Sequence, residues 1–322
     1  RAKRIESLVK FIYKKHKKNY DDFTDQLILS NSDLTCELVK EFPNLQGMVG
    51  GYYASKENMN TIVCRALSDQ YEYEFLDSNN NYLSFILSIS QKFDAVIGYF
   101  ISKKKLSGSG DPFGVRRSTL SIIRICIDKK IDINFFEFFN YLYSLYVDQE
   151  IDIDVEYDFI QQYIKKRMHI LFLEMGFKQD IIEASFFNNE INPYLSFMRA
   201  KEITKLTKSE NGRNFLKSFK RLDSLVEEIE GSEIINNLLS QKEEIDLNNM
   251  LSYLQKINIS NHDEFFLNNY ELLDKMTIIL NQFFDNVIVN DSNEKVKQNR
   301  KILIREFHNR LNNSFNLSLL EI

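Results

Sequence analysis

Histidine, cysteine, glycine and proline are all scarce in this chain, which holds four, three, ten and three of them among 322 residues. Each shortage removes a class of function. His16, His169, His262 and His308 never recur at three- or four-residue spacing, so a metal-dependent hydrolase built on histidines is poorly supported. His262-Asp263 follows "NISN" and reads as a helix start or surface feature. Cys36, Cys64 and Cys126 are odd in number, far apart and in no CxxC or Cys/His spacing. Neither a disulfide framework nor a zinc site is suggested, and a reducing, cytoplasmic setting is expected. The longest apolar run, near residues 95–101, is about seven residues, far short of the roughly twenty that span a bilayer. No membrane partner is expected. Phosphate-loop, nucleophile-elbow and dinucleotide fingerprints are absent, and the glycine-rich "SGSGDPFG" at 107–114 lacks the strand and lysine of a nucleotide cradle.

What is present is a chain 43% hydrophobic and 27% charged, enough for two ordinary domains with real cores. It begins at Arg1 without an initiator methionine and is expected to be a piece of a longer chain. The net charge of −5 is unevenly spread: residues 1–130 hold 20 Lys and Arg against 15 Asp and Glu, and residues 131–322 hold 21 against 31. An acidic total does not exclude RNA, because phosphate binding depends on local patches.

The spacing predicts an all-α fold. Phe215, Phe219, Leu222, Leu225, Val226 and Ile229 fall on one face of a helix over 215–230. Leu272, Leu273, Met276, Ile279, Leu280, Phe283 and Val287 do the same over 270–289. Residues 6–19 predict a shorter helix whose run Lys14-Lys-His-Lys-Lys18 is a solvated face. The polar stretches 77–81 and 290–294 read as loops or capping turns, and the acidic stretch 148–156 marks a domain boundary near residue 150.

Seven of the ten glycines lie within 47–114, so irregular backbone belongs mainly to the first domain. In "EFPNLQGMVGGYYA", residues 41–54, Gly47, Gly50 and Gly51 would share one side of a continuing core helix and let a neighbour approach closely, flanked by Tyr52 and Tyr53. After the loop at 107–110, Asp111-Pro112 predicts a helix start that carries Arg116 and Arg117 in its first turns. Two adjacent arginines cannot both face a core. Either one pairs with a carboxylate such as Asp94 or Glu41 while the other is solvated, or the arginines and loop amides meet a phosphate backbone.

Four blocks resemble one family, the beta subunit of bacterial heterotetrameric glycyl-tRNA synthetase. They are "SDLTCELVKEFPNLQGMVGGYYA" at 32–54, "SQKFDAVIGYF" at 90–100, "SGSGDPFGVRRSTLSIIRI" at 107–125 and "FFDNVIVNDSNEKVKQNRKIL" at 283–303. A looser fifth is "FLKSFKRLDSLV" at 215–226. The resemblance runs through the chain and implies the C-terminal portion of that subunit. It implies a degenerate HD-type helical domain over 1–150 and a helical anticodon-binding domain over 151–322, of the DALR type and similar to that of arginyl-tRNA synthetase. It further implies that the alpha subunit activates glycine with ATP and Mg2+ while this portion, with no cofactor of its own, holds tRNA for glycine. The alpha subunit and the upstream regions of the beta subunit are the implied protein partners.

An HD hydrolase needs a His-Asp pair among its metal ligands, and here that position is Ser32-Asp33, with Asp94 the remaining partner carboxylate. Serine cannot replace an imidazole for a transition metal, so no metal and no catalytic residue is expected in this portion. The family's usual "ADKLD" reads Ser90-Gln91-Lys92-Phe93-Asp94, "SKDPF" reads Ser109-Gly110-Asp111-Pro112-Phe113, and "RANRL" reads Lys297-Gln298-Asn299-Arg300-Lys301. The candidate tRNA contacts are Lys92, Arg116 and Arg117 in the first domain, and Lys297, Arg300, Lys301 and Arg305 on the helix of 294–309 in the second. The last four otherwise form a solvated face paired with Glu294 or Glu306. Asp285 and Asn286 are candidates to read the two cytosines that end glycine anticodons, Asn286 being equally a helix cap, while Phe283 and Phe284 read as core. An HD-type phosphohydrolase and a helical scaffold touching only the alpha subunit are the competing readings.

Overall fold

In a computed structural model, the structure describes residues 1–16, 24–71, 81–102, 111, 113–151, 157–186, 191–226, 231, 233–256, 269–312 and 315–321. Residues 107–110 and 112, His262-Asp263 and most of the stretch 77–81 lie outside them. Among the described residues every regular element is a helix, as the sequence predicts. In chain order they are α1 (Ala2–Lys15), α2 (Glu37–Glu41), α3 (Met48–Lys56), α4 (Thr61–Asp69), α5 (Tyr82–Ile101), α6 (Val115–Asp128) and α7 (Phe135–Val147). There follow α8 (Tyr157–Glu174), α9 (Gln179–Ser185), α10 (Pro193–Lys208), α11 (Glu210–Asp223), α12 (Lys242–Gln255), α13 (Tyr270–Asn286) and α14 (Glu294–Asn312). No described helix is long and apolar enough to cross a membrane.

The chain forms two compact units, one of Arg1–Leu171 with Ile191–Tyr194 and one of Phe172–Glu190 with Leu195–Ile322. The division falls inside α8, beyond the acidic stretch at which the sequence places a boundary. Ile160, Ile164, Met168 and Leu171 are buried at three- and four-residue spacing, so one apolar stripe carries α8 past that stretch.

The first unit is organised on α5, against which α1, α4 and α6 pack. Asn81 caps α5 by accepting the Leu83 amide, and the helix then buries Phe85, Ile86, Leu87, Ile89, Phe93, Val96, Ile97 and Phe100. A helix apolar on so many sides belongs inside a unit. Each of these side chains contributes about 1.5–3 kcal/mol on leaving water.

The stretch 41–54 is not one continuing helix. Pro43–Leu45 form a 3-10 turn, Gly47 takes φ +86°, which favours glycine, and α3 begins only at Met48. The close approach read from the sequence is present: a Cβ on Gly51 would stand 1.9 Å from Ser68 Oγ and 2.5 Å from the Cys64 carbonyl oxygen of α4. A Cβ on Gly50 would meet Asp33 at 3.4 Å. Tyr52 and Tyr53 point outwards.

In the second unit, α11 and α12 pack on α13, and α12 also packs on α14. Ser209 caps α11 through the Gly212 amide, and Phe215, Leu216, Phe219 and Leu222 form its buried face. The helix stops at Asp223, before the apolar positions Leu225 and Val226. α13 supplies Leu272, Leu273, Met276, Leu280 and Phe283, and α14 supplies Leu303, Ile304, Phe307 and Leu311. The stretch 290–294 is a capping turn: Asp291 accepts the Asn293 amide, and Asn293 accepts the Lys295 amide at the start of α14.

Candidate functional site

The polar centre of the first unit lies along α5, where Ser84, Ser88, Gln91 and Asp94 are buried on an otherwise apolar helix. Asp94 accepts from Arg4 Nε at 2.8 Å, Arg1 Nε at 3.1 Å and the Tyr146 hydroxyl at 3.2 Å. The Arg4 guanidinium lies 4.0 Å from the centre of the Tyr146 ring and also donates to Gln149. Burial, and then the Asp94 charge, push the Tyr146 hydroxyl up to about 12, so it stays a donor.

Asp33 is buried too, and its Oδ2 accepts the Gly47 amide at 2.6 Å, while the positive φ and a Cβ that would stand 2.9 Å from the Ser68 carbonyl oxygen are what make that turn need glycine. Ser32 is exposed and its hydroxyl donates to the Leu29 carbonyl at 2.7 Å. Between these carboxylates runs a neutral chain: Asn31 Oδ1 accepts from Tyr71 at 3.0 Å and from Gln91 Nε2 at 3.2 Å, and Gln91 donates to Gln70 at 2.8 Å. Gln91 stands where the resemblance places an acid, and its amide can donate where an ionised carboxylate cannot. This donor set does not fit a divalent cation. Asp94 is already neutralised by two guanidiniums, Asp33 holds a backbone turn, and the Ser32 hydroxyl faces a carbonyl.

Lys92 departs from the expected role of an RNA contact. Its ammonium turns inwards and donates to the Gln70 carbonyl at 3.2 Å and Ser88 Oγ at 2.5 Å, and burial lowers it to about 8. The start of α6 departs as well. The helix begins at Val115 behind Gly114 in the left-handed region, and Asp111 fills its N-terminus by accepting the amides of Arg116 at 3.2 Å and Arg117 at 3.1 Å. A carboxylate already sits where a phosphate would. Arg116 is half-buried, whereas the Arg117 side chain is 81% exposed with Asp111 only loosely paired at 3.9 Å. Asp94 serves α1 and not α6, and Glu41 is exposed at the end of α2.

In the second unit, Arg300 is also turned inwards. Its side chain is 4% exposed and donates to Glu244, itself 0% exposed, at 2.6 Å, and to Asp291 and the Ile288 carbonyl at 2.8 Å. Glu244 at the same time accepts the amides of Ser240 and Gln241, closing the start of α12. Lys297 pairs with Glu294 at 3.3 Å, Arg305 pairs with Glu306 at 2.9 Å, and Lys301 is half-buried. The bases of α14 are thus largely held within the unit. At the end of α13, Asp285 and Asn286 are exposed, and Asn286 donates to Glu243 at 3.2 Å. Phe283 is core, but Phe284 is half-buried and carries the Arg221 guanidinium 4.8 Å from its ring centre.

The model of the glycyl-tRNA synthetase beta subunit family matches residues 1–186, more than half of the chain and all of its first 171 residues. The chain belongs to that family. Curated relatives extend the likeness into the second unit. The glycine-tRNA ligase beta subunit of Rickettsia bellii is 29% identical over 311 residues, covering 95% of this chain and 44% of the relative. Those of Rickettsia africae and Rickettsia typhi are 30% identical over 293 and 290 residues, covering 89% and 86% of this chain and 43% and 41% of the relatives. The chain therefore spans less than half the length of these beta subunits. Within this family member, sequence reading missed Arg1, Arg4 and Tyr146 as keepers of Asp94, and Glu244 and Asp291 as keepers of Arg300. Contacts across 90, 52 and 56 positions of sequence leave no local pattern to find. Arg221 was legible only as one base within a helical block.

Proposed function

We propose that this chain is the tRNA-holding part of a glycine-tRNA ligase beta subunit and performs no chemistry itself. The alpha subunit then activates glycine with ATP and Mg2+ in the cytoplasmic heterotetramer, and the remainder of the beta subunit completes the hold on tRNA. In this reading the first unit is an HD-type domain without its metal, and the second is the anticodon-binding domain. The observation that carries it is the inward closure of Asp94 by Arg1, Arg4 and Tyr146, while Arg117 remains outside with its charge nearly free. A closed centre with an outward guanidinium fork suits phosphate contact better than hydrolysis.

The test is a titration of glycine tRNA, and of the same tRNA with both anticodon cytosines changed, at two salt concentrations. Salt-sensitive binding that prefers the unchanged anticodon is expected, and Arg117→Gln should weaken both RNAs and lower the salt slope by about one. Equal, salt-insensitive binding would leave the scaffold reading, in which only the alpha subunit is touched. Phosphodiesterase turnover with manganese would instead establish the HD hydrolase.

A further inference from the structure

The exposed face of α11 carries Arg213, Lys217 and Arg221 at successive four-residue steps, with Asn214 beside them and Glu210 as the one acid on that face. Four residues advance a helix by about 6 Å, so these bases form a ridge along its axis. The Arg213 guanidinium is steadied by the Lys208 carbonyl at 2.6 Å, a neutral partner that leaves its charge in place. The ridge ends where Arg221 lies over the Phe284 ring and faces Asp285, with Nη1 to Oδ1 at 3.5 Å and side chains 53% and 66% exposed. An ion pair this long and this wet contributes little to stability and opens readily to a third group. The contrast with α14 is direct, since Lys297, Arg300 and Arg305 there are each matched by a carboxylate of their own unit.

We infer that this ridge and the end of α13 form a single-stranded RNA site in which Arg221 and Asp285 together select a cytosine over a uracil. The inference rests on the proposed tRNA-holding role and deepens it by naming the reading residues. A ridge of bases follows a sugar-phosphate backbone, and an arginine whose face is held over an aromatic ring presents its N–H edge to an unstacked base. The edge of cytosine offers an amino donor beside two acceptors. Ionised Asp285 only accepts and Arg221 only donates, so the pair matches that order, whereas uracil puts a carbonyl against the carboxylate. Asn286 is tied to Glu243 by its side-chain amide, so Asp285 rather than Asn286 is the reader.

The experiment uses the full chain and two anticodon stem-loop RNAs, one whose anticodon ends in two cytosines and one with uridines in their place. The wild-type chain is expected to favour the cytosine RNA by tenfold or more. Arg221→Gln should cost the cytosine RNA about tenfold and abolish the preference. Asp285→Asn, which can donate to a uracil carbonyl, should raise the uridine RNA towards the cytosine one, an outcome that loss of folding cannot imitate. Lys217→Gln should weaken both RNAs alike and flatten the salt dependence. If Arg221→Gln and Asp285→Asn keep wild-type preference while Arg117→Gln still weakens binding, the site is overturned and the tRNA-holding role stands. If the wild-type chain binds neither RNA in a salt-sensitive way, both fall, and an acidic peptide competing for the ridge would identify a protein partner instead.

Discussion

Arg300 and Arg221 belong to the same unit, both lie on amphipathic helices, and they have opposite lives. Arg300 is fixed between Glu244 and Asp291 inside the unit, and Arg221 rests on Phe284 at its surface. A buried guanidinium is tolerated only because its hydrogen bonds are met by carboxylates and a carbonyl. An exposed one keeps its charge available to a partner. The first unit repeats the pattern, with Arg4 inside on Asp94 and Arg117 outside on α6. In both units the inward base is tied to a buried carboxylate and the outward base keeps its charge exposed.

The largest expected effect tests the inward class. Arg300→Met strands Glu244 without its cation, and the folded state should lose about 3–5 kcal/mol, read from the urea midpoint. Adding Glu244→Gln should recover part of this, and an unchanged midpoint in the single variant would break the comparison. Arg4→Met should cost less, about 2 kcal/mol, because Arg1 and Tyr146 still hold Asp94.

Lys92 sharpens the comparison because it is inward without a carboxylate. Its ammonium ionises near 8 in the folded state and near 10.5 when unfolded, so between these values the unfolded chain binds more protons and stability rises with pH. The charged form is thus a cost at neutral pH. Lys92→Met should stabilise the protein at pH 7, on the order of 1 kcal/mol once screening and the two lost hydrogen bonds are set against the shift. The gain should vanish by about pH 10, and a gain that persists there would assign it to packing. The smallest effect belongs to the outward class: Arg221→Gln and Arg117→Gln should change stability by no more than about 0.5 kcal/mol while changing RNA affinity. A large drop in their melting temperatures would place them with Arg300.

The helices were legible in the sequence because they are written in local spacing. Phe215, Phe219 and Leu222 are one stripe, as are Leu272, Met276, Leu280 and Phe283, and both stripes are buried as the periodicity demands. The glycines were half legible. Gly51 marks a close approach and Gly50 does not, while Gly47 breaks the helix through its positive φ. Phe283 and Phe284 both read as core, but adjacent positions on a helix point about 100° apart, and only Phe283 is fully buried.

The sequence by itself determined that this protein is helical and which family its long motifs resemble. Only the tertiary structure decided which cations face inwards. That choice depends on carboxylates such as Glu244 and Asp94, brought up from 56 and 90 positions away, and a periodicity read within one helix carries no information about them.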